Sequence, residues 1–286
     1  MRAMQILISM DMEGCAGVVH VDQTRRAGND YATARRWMTL EANAAALGAF
    51  DAGATRVIVN DSHADMRNLL IDELDPRIEV ISGALKPYSM AQGLDAVRPN
   101  AVFFVGYHGG AGTAASVLDH TYYGAVVSEV RLHAHGLAAD DAGQWLDEAA
   151  INGLVAGEFG VPVALVTGDQ AVTAHARERF ASVVTVEVKR SITRYAAESL
   201  HPEESRRRIR AGAREAVGRI ASLRPYAVPF PAQLTLSMVN TGFADAACIV
   251  PGVRRVDARR VRLTASTPSE ALRYVLAVTM IAGTLV

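Results

Sequence analysis

The apolar run Ile6-Leu7-Ile8 passes directly into Ser9-Met10-Asp11-Met12-Glu13-Gly14, and short apolar runs that close in polar residues recur along the chain. A run this short, bounded by polar residues and glycine, reads as a buried strand. The next one is Arg56-Val57-Ile58-Val59. Residues 31–52 lie between them and are rich in Ala, Arg, Leu and Met. Trp37, Leu40, Ala44, Leu47 and Ala52 fall roughly at helical spacing, and Gly53 is placed to end the helix. The chain therefore opens strand, helix, strand, the pattern of a parallel pair joined by a right-handed crossover.

Further strands are expected over residues 79–83, 101–105, 126–132, 161–166, 183–188, 234–239 and 261–265. Helices are expected over 90–94, 147–158, 171–180 and 202–223, with a last one capped by Ser269; Asp169 is placed to cap the helix that follows it. Residues 18–28 and 133–144 read as loops, and no internal repeat occurs. Pro225, Pro229 and Pro231 mark a boundary between a metal-binding catalytic region, 1–224, and a C-terminal α/β part, 225–286, packed on the same domain.

With 286 residues, half of them hydrophobic, the chain can bury a large core, and a net charge of −1 gives no footprint for nucleic acid. Cys15 and Cys248 make neither a disulfide framework nor a CxxC site. The N-terminus enters a strand without a signal-peptide pattern. The apolar stretch 271–286 is interrupted by Arg273, Thr279 and Gly283 and is too short to span a bilayer. A soluble, cytoplasmic protein with no membrane partner is expected, with 271–286 as a buried helix.

Strands of the first half end in groups that can bind metal: Asp11 and Glu13, Asp61 and His63, Tyr107 and His108. On extended backbone, Asp11 and Glu13 point to one face. In an open parallel sheet the strand C-termini share one edge, where ligands bind. Glu148, at a helix start, can join them. This donor set is too rich for one tetrahedral zinc and suits two divalent ions, about 3.5–4 Å apart, sharing a carboxylate. Each residue also has an ordinary use. Asp11 and Glu13 make a solvated acidic turn, His63 and His108 make loop hydrogen bonds, and Glu148 complements a helix N-terminus. His120 is a general acid or base if unligated, or else packs near Tyr122 and Tyr123. Asp169 and Asn240 offer polar support at strand ends, Lys86 is either a surface lysine or an anion contact, and the loop 133–141 holds metal-capable groups exposed to solvent.

These residues also carry a resemblance. Ser9-Met10-Asp11-Met12-Glu13-Gly14 resembles the SxDxEG signature of the zinc D-aminopeptidases, peptidase family M55, once labelled dipeptide transport proteins. Val59-Asn60-Asp61-Ser62-His63 and Gly106-Tyr107-His108 resemble its second and third motifs. Ser82-Gly83, Lys86-Pro87, Ser89-Met90, Ala156-Gly157, Val161-Pro162-Val163 and Thr167-Gly168-Asp169 extend the likeness over nearly the whole chain, most weakly after about residue 190.

The resemblance implies a three-layer α/β/α sandwich with a mixed, largely parallel sheet, and two Zn2+ ions per chain. Asp11 would bridge them, Glu13 and His63 would complete one site, and His108 and Glu148 the other. His120 would match the catalytic histidine. A homodecamer enclosing its active sites and admitting short peptides is implied as well. The family pattern around the last ligand is Gly-Glu followed by Leu-Asn, whereas this chain has Asp147-Glu148-Ala149-Ala150-Ile151-Asn152 after a longer, more polar segment, 133–146. Asp147 is therefore expected to alter the charge of the site.

The expected function is a dinuclear zinc aminopeptidase that cleaves short peptides, preferentially those with an N-terminal D-amino acid, by a metal-activated water. Mn2+ or Co2+ suits the same ligands. Another metal-dependent hydrolase, such as a phosphoesterase, and a non-catalytic peptide-binding ring are the alternatives that this donor chemistry leaves open.

Overall fold

The structure, a computed structural model, describes residues 3–134 and 143–286. The opening unit is β1 (Gln5–Met10), a short α1 (Val21–Thr24), α2 (Tyr31–Asp51) and β2 (Arg56–Asp61). β3 (Ile78–Ile81), α3 (Leu94–Val97) and β4 (Ala101–Tyr107) follow. β5 (Val127–His133) and β6 (Gln144–Trp145) precede α4 (Glu148–Glu158), β7 (Val163–Asp169), α5 (Gln170–Arg179) and β8 (Val184–Thr193). The remainder is β9 (Ala196–Ser199), α6 (Pro202–Arg219), β10 (Ala232–Met238), α7 (Thr241–Ala247), β11 (Arg254–Arg255), β12 (Arg260–Ala265) and α8 (Pro268–Gly283).

Among the described residues, one seven-stranded sheet runs β3-β2-β1-β4-β7-β8-β9, parallel except for β9. Its strands are apolar on both faces because both are covered, as a parallel sheet requires. Ile6, Ile8 and Met10 share a hydrophobic cluster with the inner faces of α2 and α6. Leu7, Val102 and Phe104 join the cluster on the opposite side, which includes residues of α4, α5, α7 and α8. Each such side chain, taken from water, contributes about 1.5–3 kcal/mol. The parallel sheet thus has helices on both faces, the α/β arrangement the resemblance implies.

A second, antiparallel sheet runs β11-β12-β10-β5-β6 and packs into the same cluster as α4 and α8. β5, β10 and β12 are readable from their apolar runs, but the two-residue strands β6 and β11 and the pairing of the sheet are not. β5 comes before α4 in the chain, yet it pairs with β10, about a hundred residues later (Leu234 opposite Leu132).

The strand order reverses between β1 and β4, which places a crevice at the C-terminal edge of the sheet. Met10 lies opposite Asp61 on one side and Val105 on the other, so Asp11, Ser62 and Gly106 leave the sheet at one level. The loops after β1 and β4 touch there. Gly14 N–H donates to Gly106 O at 2.8 Å, and a Cβ on Gly14 would sit 1.9 Å from Tyr107 O. Only glycine permits that approach.

Several local expectations are corrected. Residues 90–94 do not form one helix: a 3-10 turn, Ser89–Ala91, and α3 are separated at Gly93. The cap of α8 is Thr267, whose hydroxyl accepts from Glu270 N–H, and Pro268 rather than Ser269 opens the helix. α8 buries one face only, and Met280 is exposed. Of the polar segment 133–144, His133 ends β5 and Gln144 begins β6, while residues 135–142, with most of the metal-capable groups noted there, lie outside the described residues. No helix among the described residues is long and apolar enough to cross a membrane.

Candidate metal centre

Asp11 is held at the end of β1 by its N–H, which donates to Val105 O at 2.8 Å, and its Oδ1 accepts from Met12 N–H at 2.8 Å. Glu13 does not continue along an extended strand. The chain turns, closed by Cys15 N–H donating to Met12 O at 3.0 Å, and the turn rather than the strand pleat brings Glu13 back toward Asp11. Both meet His63 from the loop after β2: its Nδ1 lies 3.2 Å from Asp11 Oδ1 and 2.9 Å from Glu13 Oε2.

The other half comes from β4 and α4. His108 Nε2 lies 3.5 Å from Asp11 Oδ2 and 3.6 Å from Glu148 Oε2. Glu148 opens α4 and accepts Tyr122 N–H on Oε1 at 2.6 Å. His120 Nε2 is 3.8 Å from Glu148 Oε1, and its ring stacks on that of His108 with centroids 4.4 Å apart. Asp11, Glu13 and His63 form one group of possible ligand atoms, all within 4.8 Å of one another, and His108, His120 and Glu148 form another. Asp11 reaches toward both.

The imidazole orientations are set from behind. His63 Nε2 faces Thr24 O at 2.7 Å, His108 Nδ1 faces Gly109 O at 2.9 Å, and His120 Nδ1 faces Leu118 O at 2.8 Å. A carbonyl only accepts, so each of those nitrogens carries the proton. In the neutral rings the opposite nitrogen presents a lone pair toward carboxylate oxygens. That arrangement repels itself unless a proton or a cation lies between. His108 Nε2 and Glu13 Oε2 are buried without a hydrogen bond.

Without a cation, protons fill the role. Burial, then the Glu13 charge, raises Asp11 to about 6. Burial alone would depress His63, but the Glu13 and Asp11 carboxylates outweigh it and hold the ring well above the usual histidine range. His63 in turn outweighs burial at Glu13 and lowers it. Burial raises Glu148, while burial and neighbouring His120 lower His108. Burial pulls His120 down too, but Glu148 and Glu13 overcome this and raise it. Oxygen and imidazole donors without thiolate suit zinc, manganese or cobalt.

A cavity of about 800 Å³ opens over the centre, lined by Asp11, Glu13, His63, His120 and Glu148 among others. Two strand-end groups expected at the centre are used elsewhere. The Asp61 carboxylate accepts from Asn68 N–H, Asn68 Nδ2 and Leu69 N–H. The Tyr107 hydroxyl shares a hydrogen bond with Ser9 Oγ at 2.7 Å and accepts from Asn152 Nδ2 at 3.2 Å. Asn240 caps α7 and does not line the cavity. Asp169 caps α5 through Oδ1, and its Oδ2 accepts from Ser116 Oγ, which itself accepts Gly109 N–H beside His108. Lys86 is no surface lysine: it is half-buried in the cavity wall.

Asp147 adds only a minor charge effect at Glu148. It caps α4, accepting from Ala150 N–H at 2.7 Å, and its other oxygen pairs with Arg179 at 3.1 Å and His175 at 3.3 Å.

Sequence reasoning passes over Lys189. The residue lies at the end of the buried alternation Val184, Val186, Val188 and beside exposed Arg190, so nothing in the pattern marks it. Its ammonium is buried and donates to Val18 O at 2.6 Å, Cys15 O at 3.1 Å and Glu13 O. One cation thus gathers the carbonyls of the loop that carries Glu13.

A family model described as D-aminopeptidase, Peptidase_M55, matches residues 4–277. A D-aminopeptidase of Bacillus subtilis (strain 168) is 34% identical over 283 residues, 98% of each chain. The solved structure of the Zn-dependent D-aminopeptidase DppA from Bacillus subtilis, described as a self-compartmentalizing protease, superposes with a TM-score of 0.91 at 32% identity, again over 98% of each chain.

Leaving the three carbonyls around Lys189 without a donor should be costly. Lys189→Met is expected to lower the unfolding free energy by about 3 kcal/mol, measured by denaturant titration of the metal-free protein. A change within about 0.5 kcal/mol, the scatter of an ordinary surface substitution, would show that the loop holds itself.

Proposed function

The chain belongs to the D-aminopeptidase family M55, and from that membership we propose that it is a zinc-dependent aminopeptidase that removes the first residue of short peptides and prefers a D-amino acid there. The observation that carries this reading is the orientation of His63, His108 and His120, each turned by a backbone carbonyl so that its free nitrogen faces the carboxylates. Asp11, Glu13 and His63 would hold one Zn2+ ion and His108 and Glu148 a second, with Asp11 placed to reach both. When bound, such a pair supplies a water acidic enough to ionise near neutral pH and polarises the scissile carbonyl.

The chain's own groups do the rest. The cavity walls hold the peptide over the centre. His120, with Nδ1 fixed on Leu118 O, offers Nε2 to the amine that leaves, and the Glu148 charge favours its protonated form. Tyr122 N–H fixes the Glu148 oxygen nearer His120. Self-compartmentalisation is carried over from the solved relative: a homo-oligomer, a decamer by the family resemblance, would close the cavity to all but short chains. The cytoplasm is the expected location.

Amine release from matched D- and L-alanyl dipeptides, with metal removed and zinc restored, tests the reading. Zinc-dependent cleavage of the D form over the L form is expected. L-selective cleavage would remove the stereopreference, and zinc-loaded protein that hydrolyses phosphate esters but neither peptide would make it a different hydrolase.

His120 lies in the same ligand-distance group as His108 and Glu148, so metal content decides its role. His120→Ala is expected to keep its zinc by elemental analysis while turnover falls by about 10²–10⁴-fold. Loss of one zinc would make His120 a ligand.

Zinc must displace the protons now shared by Asp11 and His63. Asp11, raised to about 6, is mostly protonated at pH 5.5 and mostly ionised at pH 7.5. Zinc affinity is therefore expected to fall as pH drops through about 6, with more protons released per zinc at pH 5.5 than at 7.5. Calorimetry in buffers of different ionisation enthalpy measures this directly; equal release at both pH values would contradict the electrostatics of the site.

A further inference from the structure

The cavity wall carries a cation with no carboxylate in contact among the described residues. Lys86 Nζ donates to Asn60 Oδ1 at 2.5 Å and to Asp61 O at 2.6 Å. Asn60 is itself fixed, donating from Nδ2 to Ser89 O and Met90 O. An ammonium has three protons, and among the described residues the third has no acceptor. No carboxylate lies within ion-pair distance of Nζ among them either. Burial draws its pKa down to about 8, outweighing the more distant Asp61 charge, which favours the protonated form.

The other cations of the cavity differ. Arg194 is paired with Asp119, and Arg25 and Arg273 are exposed, where solvent and salt screen them. Lys86 combines partial burial, neutral anchoring partners and an unused donor. Leaving such a charge unpaired is costly, and an anionic ligand group removes the cost.

The position of Lys86 indicates which anion. Asp61, whose carbonyl anchors Nζ, is two residues from His63 and opposite Met10, which precedes Asp11. The cation is therefore anchored at the end of β2, the strand next to β1, whose end carries Asp11. Two peptide residues span at most about 7 Å. A small molecule with an ammonium at one end and a carboxylate at the other can meet both features at once.

We propose that Lys86 receives the C-terminal carboxylate of the substrate, so that the site selects very short peptides whose free carboxylate lies close to the bond cleaved. This rests on the aminopeptidase reading of the centre. In the complex the third Lys86 proton is donated to a carboxylate oxygen, while Asn60 and Asp61 keep the other two. Peptides with that carboxylate amidated lose the contact and leave the cation unanswered.

The test is calorimetric binding of N-acetyl-D-alanine and of N-acetyl-D-alaninamide to the zinc-loaded protein, its Lys86→Met and Lys86→Gln variants, and Lys86→Arg. The wild type is expected to bind the acid at least tenfold more tightly than the amide. Both neutral variants should reduce that ratio to about one with zinc content unchanged, and Lys86→Arg should restore much of it. Lys86→Gln keeps a polar partner for Asn60, so it separates loss of charge from loss of the local fold. Equal or no binding of the two ligands by the wild type overturns the proposal. So does a preference for the acid that survives in both neutral variants, since the carboxylate would then bind at the metal centre. Failure of the aminopeptidase reading is seen separately, as absence of dipeptide turnover by the wild type.

Discussion

Mutual repulsion among Asp11, Glu13 and Glu148 is the constraint on which the rest of the molecule depends. All three are buried, and burial alone opposes their charge. They stay together because stiffer structure holds the backbone behind each one. Asp11 is locked to β4 through Val105 O, the Glu13 loop is gathered by Lys189, and Glu148 opens a helix, where the macrodipole favours a carboxylate. The stability of the scaffold is thereby committed to a geometry that is unfavourable unless a proton or a cation lies between these groups.

Why that geometry sits where it does follows from topology. The reversal of strand order between β1 and β4 opens a crevice, and the parallel register brings the ends of β1, β2 and β4 to one level. Beneath the crevice a polar floor ties these elements together. Ser9 Oγ bonds with Ser62 Oγ and the Tyr107 hydroxyl, Tyr107 meets Asn152 of α4, and Asn152 accepts from the Tyr122 hydroxyl. Tyr122 then fixes Glu148 through its N–H. The network fixes the relative positions of the two candidate ligand groups, which come from separate elements and could otherwise shift independently.

The ends of apolar runs point to this cluster, because the strand termini of a parallel sheet share the edge on which the crevice opens. Asp11, Glu13, His63 and His108 are legible for that reason, although Glu13 arrives by a turn and not by the strand pleat. The same rule misplaces Asp61, since a carboxylate at a strand end serves equally well to take the N–H groups of a following turn. Lys189 and the pairing of β5 with β10 are illegible for a different reason. Both depend on contacts between segments about a hundred residues apart or more, which local periodicity does not encode.

The departure at Asp147 shows how a charged residue can stand beside the centre without entering it. In place of glycine, the chain has a carboxylate that caps α4 with one oxygen and meets Arg179 and His175 of α5 with the other. Burial would raise this group, yet His175 and Arg179 outweigh burial and keep it ionised. Its charge is answered by these partners, so Glu148 feels it only as a minor contribution behind burial, His120 and Glu13. The same pairing fastens the first turn of α4 to α5. A change that reads in the sequence as extra negative charge at the candidate metal centre acts in the structure as a clamp on the helix that presents Glu148.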